Sequence, residues 1–312
     1  MQKYWSKVRH LLGIAHQVGA WNFIRRYSVR LYYKLSHRPQ TITLSNGGEM
    51  ILPCTSRFGT ELFLTRDQLD WGSEYLLMRF LEGDKDFIDI GANIGYYSLL
   101  AAPVCKSVYA FEPDPRVAQF LDKNLAGFNH CKVFQEALYS EVTTMTLNLS
   151  SLPELNSLTR RGTAVDSLTV KVTTLDCLMD EYPSLKVSCI KIDAEGADYD
   201  ILAGGRRLLT RDQPLVLAEI WPTQRLFTLA QEIGFDLFAF VKPKLGQKGA
   251  HQPAKLIRIE PKPTNLRLKM LFLVPKRLLS DFEASVDSQA TAQFSRPARR
   301  SPQIQSRRPQ PD

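Results

Sequence analysis

The chain has 312 residues, 44% of them hydrophobic and 23% charged, and carries a net charge of +8. These values fit an ordinary globular core, built as one large α/β domain with appendages or as two small domains. Five scattered cysteines (54, 105, 131, 177 and 189) contain no Cys-x-x-Cys pair, which argues against a disulfide scaffold or a zinc ribbon. Of five histidines only His130 falls inside the central region, so a Ser-His-Asp hydrolase or a histidine-rich metal site lacks raw material.

The charge is unevenly placed. Residues 1–40 carry eight Lys or Arg and no acid, and residues 241–280 carry ten against Glu260 alone. Residues 41–240 hold 17 basic and 27 acidic residues. An acidic core with basic flanks gives no strong nucleic-acid signal, because a chain built to grip RNA more often puts positive charge around its catalytic face.

In chain order, apolar residues at 4, 5, 8, 11, 12, 15 and 18, then 21, 23, 24, 27, 31, 32 and 35, predict two amphipathic helices broken near Gly19. Their apolar runs are too short to cross a bilayer. The simpler expectation is that this extension packs on the core or pairs with a second subunit; a cationic amphipathic helix also suits peripheral contact with an anionic membrane. Residues 42–64 read as short strands with Gly and Pro turns. Residues 71–82 have helical spacing that stops at Gly83, a C-cap.

Strand and helix then alternate. Strands are predicted at 86–90, 107–112, 131–138, 187–192 and 214–220, with helices at 94–103, 115–126 and 223–233. An extra strand pair, 142–149 and 168–174, brackets a polar loop at 150–167. A last pair, 235–241 and 268–274, fits an antiparallel edge hairpin around a basic excursion. From Ser280 onward, Ser, Gln, Pro and Arg dominate, and residues 280–312 are expected to be a disordered tail. The domains expected are therefore 1–40, 41–279 and 280–312.

The chemistry is concentrated at two strand ends. Phe87-Ile-Asp89-Ile-Gly91-Ala92-Asn93-Ile-Gly95 is a strand-loop-helix unit that brings backbone close to a nucleotide-like ligand. A dinucleotide fingerprint needs glycine at the places held here by Gly91, Asn93 and Tyr96; the Asp-x-Gly-x-Asn-x-Gly spacing is instead that of S-adenosylmethionine binders. The next strand ends at Glu112, placed to bond two vicinal ribose hydroxyls. The second cluster, Lys191-Ile-Asp193-Ala-Glu195-Gly196, ends an apolar strand, and Glu219 ends the following one. In an open parallel sheet these acids face the same crevice as Gly91. Asp193, Glu195 and Glu219 are the candidate bases; alternatively Asp193 and Glu195 cap the helix that follows. The spacing demands no metal.

Taken in order, several short blocks form a pattern. They are Trp71-Gly-Ser-Glu74, Asp89 to Gly95, Ala110-Phe-Glu-Pro-Asp114, Glu136-Ala-Leu138, Val172 to Asp176, Lys191 to Gly196 and Leu217-Ala-Glu219. Over about residues 71–275 the chain resembles the FkbM family of S-adenosylmethionine-dependent methyltransferases. The resemblance implies a class I methyltransferase fold: a Rossmann-like, mostly parallel α/β sheet with an antiparallel C-terminal hairpin and helices on both faces. It implies S-adenosylmethionine as cofactor and methyl transfer to a hydroxyl of a sugar, glycan or polyketide-type acceptor. Asp89, Gly91, Ala92, Asn93 and Gly95 would hold the methionine part, Glu112 the ribose, and Glu136 with Ala137 the border of the adenine. Two other readings stay open. One is an N-methyltransferase acting on nucleic acid or protein, whose strand usually ends in Pro-Pro and an aromatic where this chain has Asp193-Ala-Glu-Gly. The other is a non-catalytic module that retains the cofactor fold. The expected location is cytoplasmic, with the N-terminus able to add a peripheral membrane contact.

Overall fold

Phe87 to Ile90 and Val187 to Ile192 are apolar on both sides, which suits strands covered by helices on two faces. A computed structural model describes residues 11–66, 69–150, 156–159, 164–244, 252–261 and 266–292, with side chains as far as 285. Residues 11–18 are helical, Gly19 breaks the chain with φ 85°, and helix α1 follows (Ala20–Leu35). A two-stranded antiparallel sheet comes next, β1 (Gln40–Thr43) and β2 (Glu49–Leu52), with Ile42 opposite Met50. The strands expected as far as residue 64 stop there. Ser56 Oγ accepts from the Gly59 N–H at 2.8 Å and caps helix α2 (Arg57–Thr65), whose Leu62, Phe63 and Leu64 are buried. Helix α3 is also shorter than its spacing suggested (Ser73–Met78). The chain leaves it at Arg79 rather than Gly83, with the Phe80 N–H tightening onto Leu77 O.

The central sheet is built from β3 (Asp86–Ile90), β4 (Val108–Phe111), β5 (Cys131–Phe134), β9 (Val187–Ile192), β10 (Leu215–Ala218), β11 (Phe235–Pro243), β12 (Lys255–Arg258) and β14 (Leu271–Pro275). Its order is β12-β11-β14-β10-β9-β3-β4-β5, and β13 (Leu266–Leu268) pairs with β11. From β5 to β10 the strands run parallel; β14 inserts antiparallel between β10 and β11. The antiparallel edge expected from 235–241 and 268–274 is therefore present, enlarged by β12 and β13. The strand expected at 131–138 is two strands. β5 ends at Phe134, and β6 (Ala137–Leu138) joins a second sheet with β8 (Ala164–Thr173) and β7 (Thr143–Ser150). The split follows from burial: Ala137 packs with Leu147, Leu149, Val170 and Val172 in a small core of their own.

Short helices return the chain between strands: α4 (Tyr96–Ala101), α5 (Pro115–Leu125), α6 (Leu175–Glu181), α7 (Asp198–Ala203), α8 (Arg206–Asp212) and α9 (Gln224–Ile233). Asp114, Thr174 and Thr223 cap α5, α6 and α9, and Pro115 takes the first position of α5, where its missing N–H costs nothing. Side chains alternate across β3, so Phe87 enters one large core and Ile88 and Ile90 the other.

The C-terminal expectation needs correction. Residues 279–292 form helix α10 (Leu279–Ala292), and Phe282 is fully buried. Its ring lies 5.2 Å from Phe238 and Phe272 and 5.6 Å from Phe80, closing one end of the core. Low apolar content over the whole tail hid one aromatic anchor. Residues 293–312 lie outside the described residues. Phe282→Ala should therefore cost about 3–5 kcal/mol. Urea unfolding measures it, and a loss under about 1 kcal/mol would show that α10 is not part of the core.

Candidate functional site

At the carboxyl ends of the parallel strands the chain opens a cleft of about 390 Å³, in the range of small-molecule sites. Gly91, Ala92 and Asn93 line it from the loop after β3, Glu112 from the end of β4, and Glu136 and Ala137 from the turn after β5. Asp193 and Glu195 enter after β9 and Glu219 after β10. Nine of the eleven site residues expected from sequence thus share one cavity. The other two, Asp89 and Gly95, lie behind it.

Asp89 is fully buried. Its Oδ2 accepts from the Ser98 N–H (2.9 Å) and Ser98 Oγ (2.6 Å), which pins the start of α4 beneath the loop. Gly95 is required by its backbone, whose φ of 90° strains any side chain, and a Cβ there would also push on Leu121 Cδ1 at 2.7 Å. Gly91 is tighter still. It has φ 66°, and a Cβ would fall 1.9 Å from the Asp193 carbonyl oxygen, so the loop after β3 passes directly against the turn after β9. Asn93 also adopts the left-handed region (φ 53°), which its short polar side chain tolerates.

Two charged groups hold this junction. Lys191 Nζ donates to Gly91 O at 2.9 Å and lies 3.4 Å from Asp193 Oδ2 and 3.8 Å from Asp89 Oδ1. Burial alone would lower its pKa, but the carboxylates of Asp193, Asp89 and Asp70 outweigh that and raise it, so it stays an ammonium. Glu112 Oε2 accepts from the Asn93 N–H at 3.0 Å and Oε1 from the Asp114 N–H at 3.0 Å, fixing the carboxylate beside the glycine loop. Burial lifts its pKa to about 7, with the two N–H donors acting the other way.

The turn after β9 departs from one expectation. Neither Asp193 nor Glu195 caps the next helix. That helix has no side-chain cap; Asp198, in its first turn, instead braces the turn before it, accepting from the Ala194 N–H (3.2 Å) and the Gly196 N–H (3.1 Å). Glu219 follows β10, and its N–H bonds Ile192 O at 3.0 Å, which sets its carboxyl in the cleft with Asp193. Its pKa is raised, by withdrawal from water and by the charges of Asp193, Glu195 and Asp70. By area Glu219 is exposed, so water weakens the first effect; the crowding by three acids persists.

Sequence reasoning missed the opposite wall. Arg57, Phe58 and Glu61 of α2, Asp70, Tyr97 and Lys269 line it. Tyr97 donates to Asp70 Oδ2 at 2.7 Å, and Lys269 Nζ reaches Glu61 Oε1 at 3.1 Å and Leu69 O at 2.7 Å. Asp70 precedes the Trp71-Gly-Ser-Glu74 block and was the one legible signal; the others come together only through the fold. The polar loop at 150–167 also contributes. Asn156, Ser157 and Leu158 line the cleft, Asn156 Nδ2 bonds Asp114 Oδ2 (2.6 Å), and Ser157 Oγ bonds Glu195 O (2.8 Å). Ser151, Arg160 and Arg161 lie outside the described residues.

These features fit S-adenosylmethionine: a paired acceptor at Glu112 for two hydroxyls, a close-packed glycine loop, and a lined turn at Glu136-Ala137 for a base. The sheet, with its β14–β11 antiparallel edge, is that of class I methyltransferases. Among solved structures the chain is similar to the methyltransferase FkbM from Methylobacillus flagellatus KT, with 16% identity and a TM-score of 0.41 over 82% of this chain and 60% of that one. It is also similar to a SAM-dependent methyltransferase from Agrobacterium tumefaciens (11%, TM-score 0.39, 75% and 69%). A precorrin-6y C5,15-methyltransferase from Geobacter metallireducens GS-15 is a third (12%, TM-score 0.37, 68% and 90%). The chain thus spans 60% of the length of the M. flagellatus protein. No curated protein matches it in sequence. The sequence profile of the methyltransferase FkbM domain matches residues 89–249, more than half of the chain and the whole run from the glycine loop to β11. The chain belongs to the FkbM methyltransferase family.

Proposed function

We propose that this protein moves a methyl group from S-adenosylmethionine to a hydroxyl of a sugar, glycan or polyketide-type acceptor. The observation that carries the reading is the set of three acids, Asp193, Glu195 and Glu219, gathered in the same cleft as the glycine loop and Glu112. Bound S-adenosylmethionine supplies a methyl group already activated by its sulfonium. The protein's part is alignment, exclusion of water and removal of one proton. An alcohol is a weak nucleophile until a base takes its proton during attack. Glu219, with its pKa raised, is the carboxyl that holds a proton, and Asp193, 3.4 Å from Lys191 Nζ, is assigned the role of base. Asn156 and Ser157 on one side, and Asp70 and Tyr97 on the other, narrow the space for the acceptor. Labelled methyl transfer to a panel of hydroxylated sugars and polyketide-type alcohols tests the reading. A product methylated on oxygen supports it, and one methylated only on nitrogen overturns it.

Two quantitative expectations follow from the roles assigned. Asp193→Asn should lower kcat by about 10²–10³ with cofactor affinity retained, whereas Glu219→Gln, which stays neutral like the protonated carboxyl, should lose less than about tenfold. Equal losses would contradict the division of labour.

The second concerns Glu112. Its carboxyl takes up a proton as pH falls through about 7, and ribose hydroxyls donate best to the ionised form. Affinity for S-adenosylhomocysteine should therefore weaken below pH 7, approaching tenfold per unit, and Glu112→Ala should flatten the dependence. Calorimetry across the neutral range measures both.

A further inference from the structure

Helix α1 is fastened to the protein by its cations and turns its apolar side outward. Arg30 is fully buried, its guanidinium donating to Thr60 Oγ1 (3.3 Å), Gln40 Oε1 (3.3 Å), Ser56 O (3.4 Å) and Pro53 O. Arg26 donates to Leu64 O at 2.6 Å. These bonds satisfy the carbonyls around α2, so the arginines occupy the inner face that leucines usually fill. The outer face carries Trp21, Ile24, Leu31, Tyr32 and Leu35, interrupted by Ser28. Their spacing of i, i+3, i+7, i+10, i+11 and i+14 puts them on one side, a stripe about 21 Å long. Trp21 is 77% exposed, Leu35 72%, Tyr32 61% and Ile24 57%. Leu12, in the helical stretch before Gly19, is 64% exposed as well. Isolated exposed leucines need no explanation, but a continuous stripe with tryptophan and tyrosine does.

We propose that the outer face of α1 docks on an anionic phospholipid surface. Charge selects this occupant. Arg25 lies beside the stripe and Arg38 just past its end, both exposed, within 40 residues that hold eight basic side chains and no acid. A second copy laid stripe to stripe would bring those cations against their own kind, since a two-fold interface presents the same patch twice. An anionic bilayer takes the apolar side chains at the level of its headgroups and the cations at its surface, and tryptophan and tyrosine favour that boundary. The contact is peripheral: among the described residues no helix is long and apolar enough to cross a membrane. Because α1 packs on α2, and α2 lines the cleft with Phe58 and Glu61, the docking helix rests against the helix that forms one wall of the cleft.

Co-sedimentation of the full chain with phosphatidylcholine vesicles, with and without phosphatidylglycerol, tests the proposal without reference to methyl transfer. Binding is expected only where phosphatidylglycerol is present, weakened by salt, and reduced about tenfold or more by the triple variant W21S/I24S/L35S. The three side chains are exposed, so the variant's thermal melt should match that of the parent. If it melts early, R25Q/R38Q carries the test through loss of the preference for phosphatidylglycerol. The proposal fails if the parent ignores phosphatidylglycerol vesicles or if the variants bind them equally. It fails too if ultracentrifugation shows a dimer that the triple variant abolishes, for then a second copy covers the stripe.

Discussion

A single buried ammonium holds the working end of this molecule together. Lys191 projects from near the end of strand β9 between two carboxylates and the carbonyl of Gly91, and so joins the loop after β3 to the turn after β9. The contact is close enough that residue 91 has no room for a side chain. A buried charge without partners would be costly, and here each partner is also part of the cleft or its support. The position of Asp193, the left-handed loop at Asn93 and the reach of Glu112 all depend on that junction.

Around it the protein crowds acids into a small volume. Asp70, Glu74, Asp193, Glu195 and Glu219 come from three segments of chain, and burial with mutual repulsion raises the pKa of Asp70, Glu74 and Glu219. Burial lifts Glu74 to about 8, with the charge of Asp70 adding to it, while the Asp70 and Gly72 N–H groups temper the effect. Asp70 is likewise raised, chiefly by burial. A site that retains protons on some carboxyls while leaving another able to accept one is suited to taking a proton from a neutral hydroxyl.

The N-terminal extension reverses the usual arrangement of an amphipathic helix. Its inner face meets backbone carbonyls of the α2 region, to which arginine adds hydrogen bonds that leucine could not make. Trp21, Ile24, Leu31, Tyr32 and Leu35 are left facing outward. Amphipathic spacing alone therefore does not say which face a helix turns to the protein.

Much of the site was legible without coordinates. The glycine loop, Glu112 and the acids after two apolar strands are set by local rules: apolar runs make buried strands, glycine marks close backbone approach, and ligands collect at the carboxyl ends of parallel strands. Those rules act over a few residues, and the chain order of strands carried the sheet with its antiparallel edge. Three things were decided only by tertiary structure. Asp89 and Gly95 belong to the support of the loop rather than its surface, because Ser98 and Leu121 approach from other elements. Asp70, Tyr97 and Lys269, up to 200 residues apart in contacts such as Lys269 to Leu69, form a wall that no spacing foretells. Phe282 is core rather than tail because three phenylalanines from distant segments pack against its ring. Periodicity reports how a segment meets its own neighbours in sequence; burial and pairing across the fold depend on which surfaces arrive together, and that is settled when the sheet closes.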